Sequence, residues 1–228
     1  MMKLGDELGE KSIKAAVLSY SGYLNLRTGE PEKALEAIKE AGKVYVELED
    51  LPNQRLAMCW EGVGYLETGS MGQAQKVAVE LKDLIQKGLN RKAWRYYYLL
   101  DGLIEMKKGN PSNAIENFNQ AASLLPQASY NDEQAIFFGP LAQAYYKAGD
   151  LKNAQEEYKK ITSLTAGRLA YGDIYVKSFY MLGKIAEQQG EKAKAREHFQ
   201  KFLDLWQDAD SGIPEVEDAK NRPAGLKS

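Results

Sequence analysis

Apolar residues recur three and four apart along most of the chain, the spacing that places them on one side of an α-helix. These stretches are interrupted at regular intervals by a glycine. Gly29, Gly69, Gly109 and Gly149 are spaced by 40 residues, and Gly190 follows 41 later. Five residues after each glycine stands an alanine: Ala34, Ala74, Ala114, Ala154 and Ala195. Nine after it stand Ile38, Ala78, Phe118, Tyr158 and Phe199. Seven before it a small residue recurs: Gly22, Gly62, Gly102, Ala142 and Gly183. Eleven before it a large apolar one recurs: Leu18, Met58, Tyr98, Phe138 and Phe179. A fixed period of this length marks a repeat architecture.

Each position has a physical reading. A glycine accepts the left-handed conformation that ends one helix, and the next helix starts within a few residues. Each repeat is therefore a pair of antiparallel helices, A and B, joined by a tight turn. The small residue before the turn and the alanine after it are expected to face each other, allowing close approach. The large residues at the outer positions are expected to fill the layer between neighbouring repeats. One such pair cannot bury its own apolar face, so pairs must stack.

This pattern resembles the tetratricopeptide repeat over roughly Ala15 to Trp206. The match is most specific in the third copy, which carries Tyr98, Gly102, Gly109, Ala114, Phe118, Ala121 and Pro126. The period exceeds the 34 residues usual for the family and looks like the long-period variants of bacterial signalling and transcription regulators. HEAT-type repeats share a period near 40, but the small–Gly–Ala signature favours the tetratricopeptide reading. The resemblance implies an all-α fold: a right-handed α-solenoid of about five antiparallel helix pairs plus a C-terminal capping helix. As a single domain over 1–228, its repeats fall at about 9–48, 49–88, 89–127, 132–164 and 173–207, with the cap at 212–225. The segments 126–133 and 164–173 carry turn formers and are expected to be loops, with Asp132 and Asp173 as candidate helix caps. Pro140 should bend its helix or mark a late start. Pro214 suits a first helical position.

Composition narrows the function. With 30 basic and 32 acidic residues the formal charge is −2, so the basic footprint that nucleic acid requires is missing. A single cysteine, Cys59, and a single histidine, His198, leave no multi-cysteine metal site and no nucleophile–base pair in one repeat. Gly62-x-Gly64 lies inside a predicted helix and follows no strand, so it is no phosphate loop. The carboxylates alternate with lysines, as in EKAKAREHFQK, which reads as a solvated face. The chain is read as no enzyme, with no cofactor and no metal. No apolar run is long enough to cross a bilayer, and the start has no apolar signal core, so a cytoplasmic location is expected and no membrane contact.

The resemblance places partner contacts on the concave face lined by the A helices. In register with the turn glycines, that face is expected to carry Tyr23 and Leu26 in the first repeat, and Cys59, Val63 and Leu66 in the second. The third contributes Tyr96, Leu99, Leu103 and Met106, the fourth Gln143 and Tyr146, and the fifth Lys177, Tyr180 and Lys184. The early repeats offer an apolar surface and the last turns basic, which suits an amphipathic helix or apolar peptide of a partner protein. The asparagine–lysine set with which chaperone-binding members clamp a terminal carboxylate is absent at these positions. A competing arrangement curls the array so that these residues pack within it. A second copy of the chain could also fill the groove, giving a homodimer. The alternative functions are a regulatory or oligomerisation segment of a larger signalling or transcription-control protein and, on the strength of NRKAWRYYYLL (90–100), an RNA-binding helical repeat.

Overall fold

The computed structural model describes residues 2–126, 133–165, 171–209 and 212–225. The chain divides into two compact units, Met1–Leu125 and Pro126–Ser228. The described residues of the first unit form helices α1 (Met2–Arg27), α2 (Pro31–Glu47), α3 (Leu51–Glu67), α4 (Met71–Gln86), α5 (Trp94–Lys107) and α6 (Pro111–Ser123). A single 3₁₀ turn, Arg91–Ala93, leads into α5. Those of the second form α7 (Gln134–Lys147), α8 (Leu151–Ser163), α9 (Gly172–Gln188), α10 (Lys192–Leu205) and α11 (Pro214–Gly225). Every described element is helical, and within each unit consecutive helices pack as pairs that stack on the next.

The turns form as the glycine spacing predicts. Gly29, Gly69, Gly109, Gly149 and Gly190 all take φ between 76° and 82°, the left-handed region that a side chain resists. The next backbone N–H then reaches back five residues, as in Asn110 N–H to Glu105 O at 2.9 Å and Glu191 N–H to Ala186 O at 2.8 Å. That bond satisfies a carbonyl left over at the helix end. Two of the following helices start on a proline in the first turn, which sacrifices no hydrogen bond there (Pro31, Pro111). Asp50 and Asp150 cap α3 and α8, each accepting from the backbone N–H three residues on, at 3.2 and 3.1 Å.

In three of the five repeats the small residue before the turn lies under a large side chain of helix B, whereas Gly62 lies against Leu100 of α5. A Cβ built on Gly22 would lie 2.5 Å from Ile38, one on Gly102 2.4 Å from Phe118, and one on Gly183 2.7 Å from Phe199. In these three the close approach is filled by the side chain nine residues after the turn, because a large side chain on helix B lies over the missing side chain on helix A. Ile38, Phe118 and Phe199 are essentially fully buried in consequence. The large residues eleven before the turn are only half-buried, and Leu18 packs on a cluster that joins α1 and α2 to Ala57 of α3.

Helix boundaries differ from expectation at two places. Asp173 lies in the first turn of α9 rather than at its cap, which Tyr171 occupies. Its carboxylate still faces the positive end of the helix dipole. Helix α7 runs through Pro140, its seventh residue. Asp132 lies outside the described residues. The capping helix α11 begins on Pro214 and buries Val216 and Ala219 against Phe199 and Phe202 of α10.

Candidate functional site

The A helices are α1, α3, α5, α7 and α9, and the residues expected to face a partner divide by burial. In the first compact unit Tyr23, Cys59, Leu66, Tyr96 and Leu99 are buried. The ring of Tyr23 stands 5.1 Å from that of Trp60 on α3. The Cys59 thiol donates to the Tyr96 carbonyl across to α5 at 3.4 Å. The Tyr96 hydroxyl accepts from Arg95 at 2.6 Å. Tyr23 and Cys59 therefore join one A helix to the next, and all five side chains are buried in the described structure. Leu26, Val63, Leu103 and Met106 remain half-exposed on the same helices. They occupy the same register positions, three and six before the glycine, at which Leu66 and Tyr23 are buried.

In the second unit Gln143 is exposed and Tyr146 half-buried, its hydroxyl accepting from Gln188 at 2.7 Å. Lys184 lies over the rings of Tyr146 and Tyr180, at 5.7 and 5.5 Å from their centroids. This arrangement lets an ammonium group rest on aromatic faces. The remaining basic and aromatic positions of α9 are held by the chain's own last helix. Lys177 pairs with Glu215 at 2.8 Å. The buried Tyr180 donates to Asp218 at 2.6 Å. Arg222 bridges Asp218 and Glu187. Sequence register alone did not find this occupant, because Glu215, Asp218 and Arg222 fall beyond the last repeat. The alternation of acid and base in PEVEDAKNR against Lys177 and Glu187 is the signal that could have pointed to it.

Electrostatics follow from this packing. The Arg222 guanidinium holds the Asp218 carboxyl below the usual range, while burial and the bond to Asp218 push the Tyr180 phenol up. A carboxylate with a depressed value stabilises the folded state above its unfolded pKa and loses that contribution as pH falls toward the folded value. Hydrogen-exchange protection of 214–225 is therefore expected to drop selectively below about pH 4. Asp218→Asn should reduce that pH dependence, and Asp218→Asn with Glu215→Gln, whose carboxyl Lys177 also holds low, should remove most of it.

Candidate chemistry is sparse. Burial pushes the Cys59 thiol up to about 12, the opposite of an activated nucleophile. His198 is half-buried beside Phe179, and burial lowers its pKa. Among the described residues, no group of three or more His, Cys, Asp or Glu could hold a metal ion. None of the described helices is long and apolar enough to cross a membrane. In the aromatic run of α5, Trp94 contacts Tyr97 and Tyr98, Lys82 lies over the Tyr97 ring and Arg95 over that of Tyr96. Arg91, Trp94, Tyr98, Gln120 and Leu124 line a shallow depression beside it.

Comparison with known proteins agrees with this architecture. A tetratricopeptide-repeat family model matches residues 140–210. Human tetratricopeptide repeat protein 36 is 33% identical over 106 residues, 46% of this chain and 51% of that protein. The chain thus spans about half the length of that relative. The photosystem I assembly protein Ycf3 of a Synechococcus strain is 29% identical over 136 residues, 57% of this chain and 75% of that one. Among solved structures, a signal-transduction ATPase of Pyrococcus horikoshii with a tetratricopeptide-repeat sensor superposes with a TM-score of 0.64. That alignment has 18% identity and covers 96% of this chain and 32% of the other. Turn glycines in left-handed geometry, small-on-large helix pairs and these likenesses converge on a helical-repeat fold, and residues 140–210 match the tetratricopeptide-repeat family model.

Proposed function

We propose that the chain is a non-catalytic scaffold that holds a helix or apolar peptide of a partner protein along its A helices. The observation that carries this reading is the half-exposed row Leu26, Val63, Leu103 and Met106 on α1, α3 and α5. Each stands beside a buried neighbour (Tyr23, Leu66, Leu99), so the row has a rigid base and needs little ordering on binding. In the second unit, by itself, Gln143, Tyr146 and Lys184 give the A helices a polar and cationic character suited to acidic groups. The name of Ycf3 assigns it an assembly role, and holding another polypeptide is consistent with such a role for this chain. Nucleic acid is disfavoured, since two basic groups near the α5 aromatics lie over tyrosine rings of the chain itself.

The test is a pull-down with the wild-type chain and Leu103→Glu/Met106→Glu, followed by calorimetric titration of the protein recovered. The double variant is expected to retain its helical circular dichroism and to lose at least tenfold in affinity, because central apolar contacts carry most of an interface's energy. Equal affinity for both proteins would overturn the A-helix reading.

A further inference from the structure

The outward side of α1 carries a second apolar surface. Ile13 is 67% exposed, Val17 63%, Tyr20 60% and Leu24 44%, the largest run of exposed apolar side chains on any one described helix. Their spacing is 4, 3 and 4, and Glu10 and Arg27 extend it by 3 at either end. This strict three–four alternation forms the narrow seam of a coiled coil rather than the broad face of a core helix.

The repeat register explains what such a face is for. Val17, Tyr20 and Leu24 stand twelve, nine and five residues before their turn glycine. The equivalent residues of α3 are Ala57, Trp60 and Gly64, and those of α5 are Tyr97, Leu100 and Ile104. On α3 and α5 this face seats each A helix on the preceding pair. Gly64 lies against Leu35 of α2, and Leu100 lies against Gly62 of α3. Ala57, Leu100 and Ile104 are buried as a result. In the second unit the same register places Ile185 in the core with Ala154 and Tyr158. On α1, no described residue covers it.

We propose that this face of α1 pairs with the same face of a second copy of the chain, in antiparallel register. Three observations favour a second copy. The seam is self-complementary: centred between Leu18 and Ser19, antiparallel pairing sets Ile13 against Leu24 and Val17 against Tyr20. The same pairing sets Glu10 against Arg27, opposite charges at both ends. The apolar surface of the second unit over Tyr180, Phe199 and Phe202 is already covered by α11, so it is not open to the α1 face of another copy. Two-fold pairing also closes the assembly, whereas head-to-tail contact would propagate into filaments. This interface is separate from the A-helix row and does not rest on the scaffold reading.

Sedimentation of the full chain across the micromolar range tests it. Wild type is expected to approach the mass of two 25.5 kDa chains, while Val17→Lys/Tyr20→Lys stays at one chain with unchanged helical circular dichroism. Glu10→Arg and Arg27→Glu should each weaken association by about threefold, and the two together should restore it. A wild-type chain that remains single, leaving the seam to a foreign helix or a lipid surface, would overturn the proposal. So would a Lys/Lys variant that still dimerises, or a double reversal weaker than either single one.

Discussion

Gly102→Ala is expected to destabilise the first compact unit by about 2 kcal/mol, although alanine is worth up to about 1 kcal/mol more than glycine inside a helix. The added methyl would stand 2.4 Å from Cε1 of Phe118 and 2.7 Å from its Cδ1. The ring cannot retreat, since Phe118 is fully buried and packed from every side. Packing must therefore shift between α5 and α6, and overpacking of this kind outweighs propensity. Gly102→Val, with a branched side chain on the same contact, should cost more still. Phe118→Ala alone should cost about 3–5 kcal/mol through the cavity it leaves. In that background the sign is expected to reverse, so that Gly102→Ala becomes neutral or stabilising as the methyl enters vacated space. Urea denaturation of the four proteins measures the coupling directly. A stabilising Gly102→Ala in the presence of Phe118 would show that the two helices are not held by this contact.

The same contact shows what the sequence could and could not convey. The pair architecture was legible because its determinants are local. A left-handed turn every 40 residues calls for glycine, and a first helical turn tolerates proline, whatever the rest of the molecule does. The partner of each small residue was less legible. Both Ala114 and Phe118 lie on the buried side of α6, and only the stagger of the two helices selects Phe118.

The candidate site was legible in outline but not residue by residue. Register identified the side of each A helix that carries Tyr23, Leu66, Tyr96 and Leu99, yet how far neighbouring A helices overlap decides which of these remain open. That overlap is a tertiary quantity: Tyr23 packs on Trp60 from the next pair, and Cys59 reaches the Tyr96 carbonyl. In the fifth repeat the occupant is α11, whose docking on Lys177, Tyr180 and Glu187 comes from a segment outside the repeat pattern. The seam on α1 was readable in principle as a three–four alternation from Glu10 to Arg27. Its significance emerges only when the equivalent positions of α3 and α5 are found covered.

Cys59 puts the largest number on this distinction between a buried joint and an open face. In the native protein its reaction with a thiol reagent is expected to be at least on the order of 10³ slower than in the unfolded chain at the same pH. The thiolate is the reacting species, and burial pushes the thiol from the ordinary range up to about 12, only weakly opposed by Arg95. The side chain is also fully covered, so the reagent has no path to the sulfur without an opening of α3 from α5. Labelling should then follow the free energy of that opening and rise steeply with urea well before global unfolding. Tyr96→Ala, which removes a buried side chain beside the joint, should accelerate labelling at least tenfold while Leu103→Glu, on the half-exposed row, leaves it nearly unchanged. Rapid labelling of the folded wild-type chain would place Cys59 on an open surface after all, returning it to the partner-binding face; slow labelling that responds to Tyr96 and not to Leu103 assigns it to the seam between repeats.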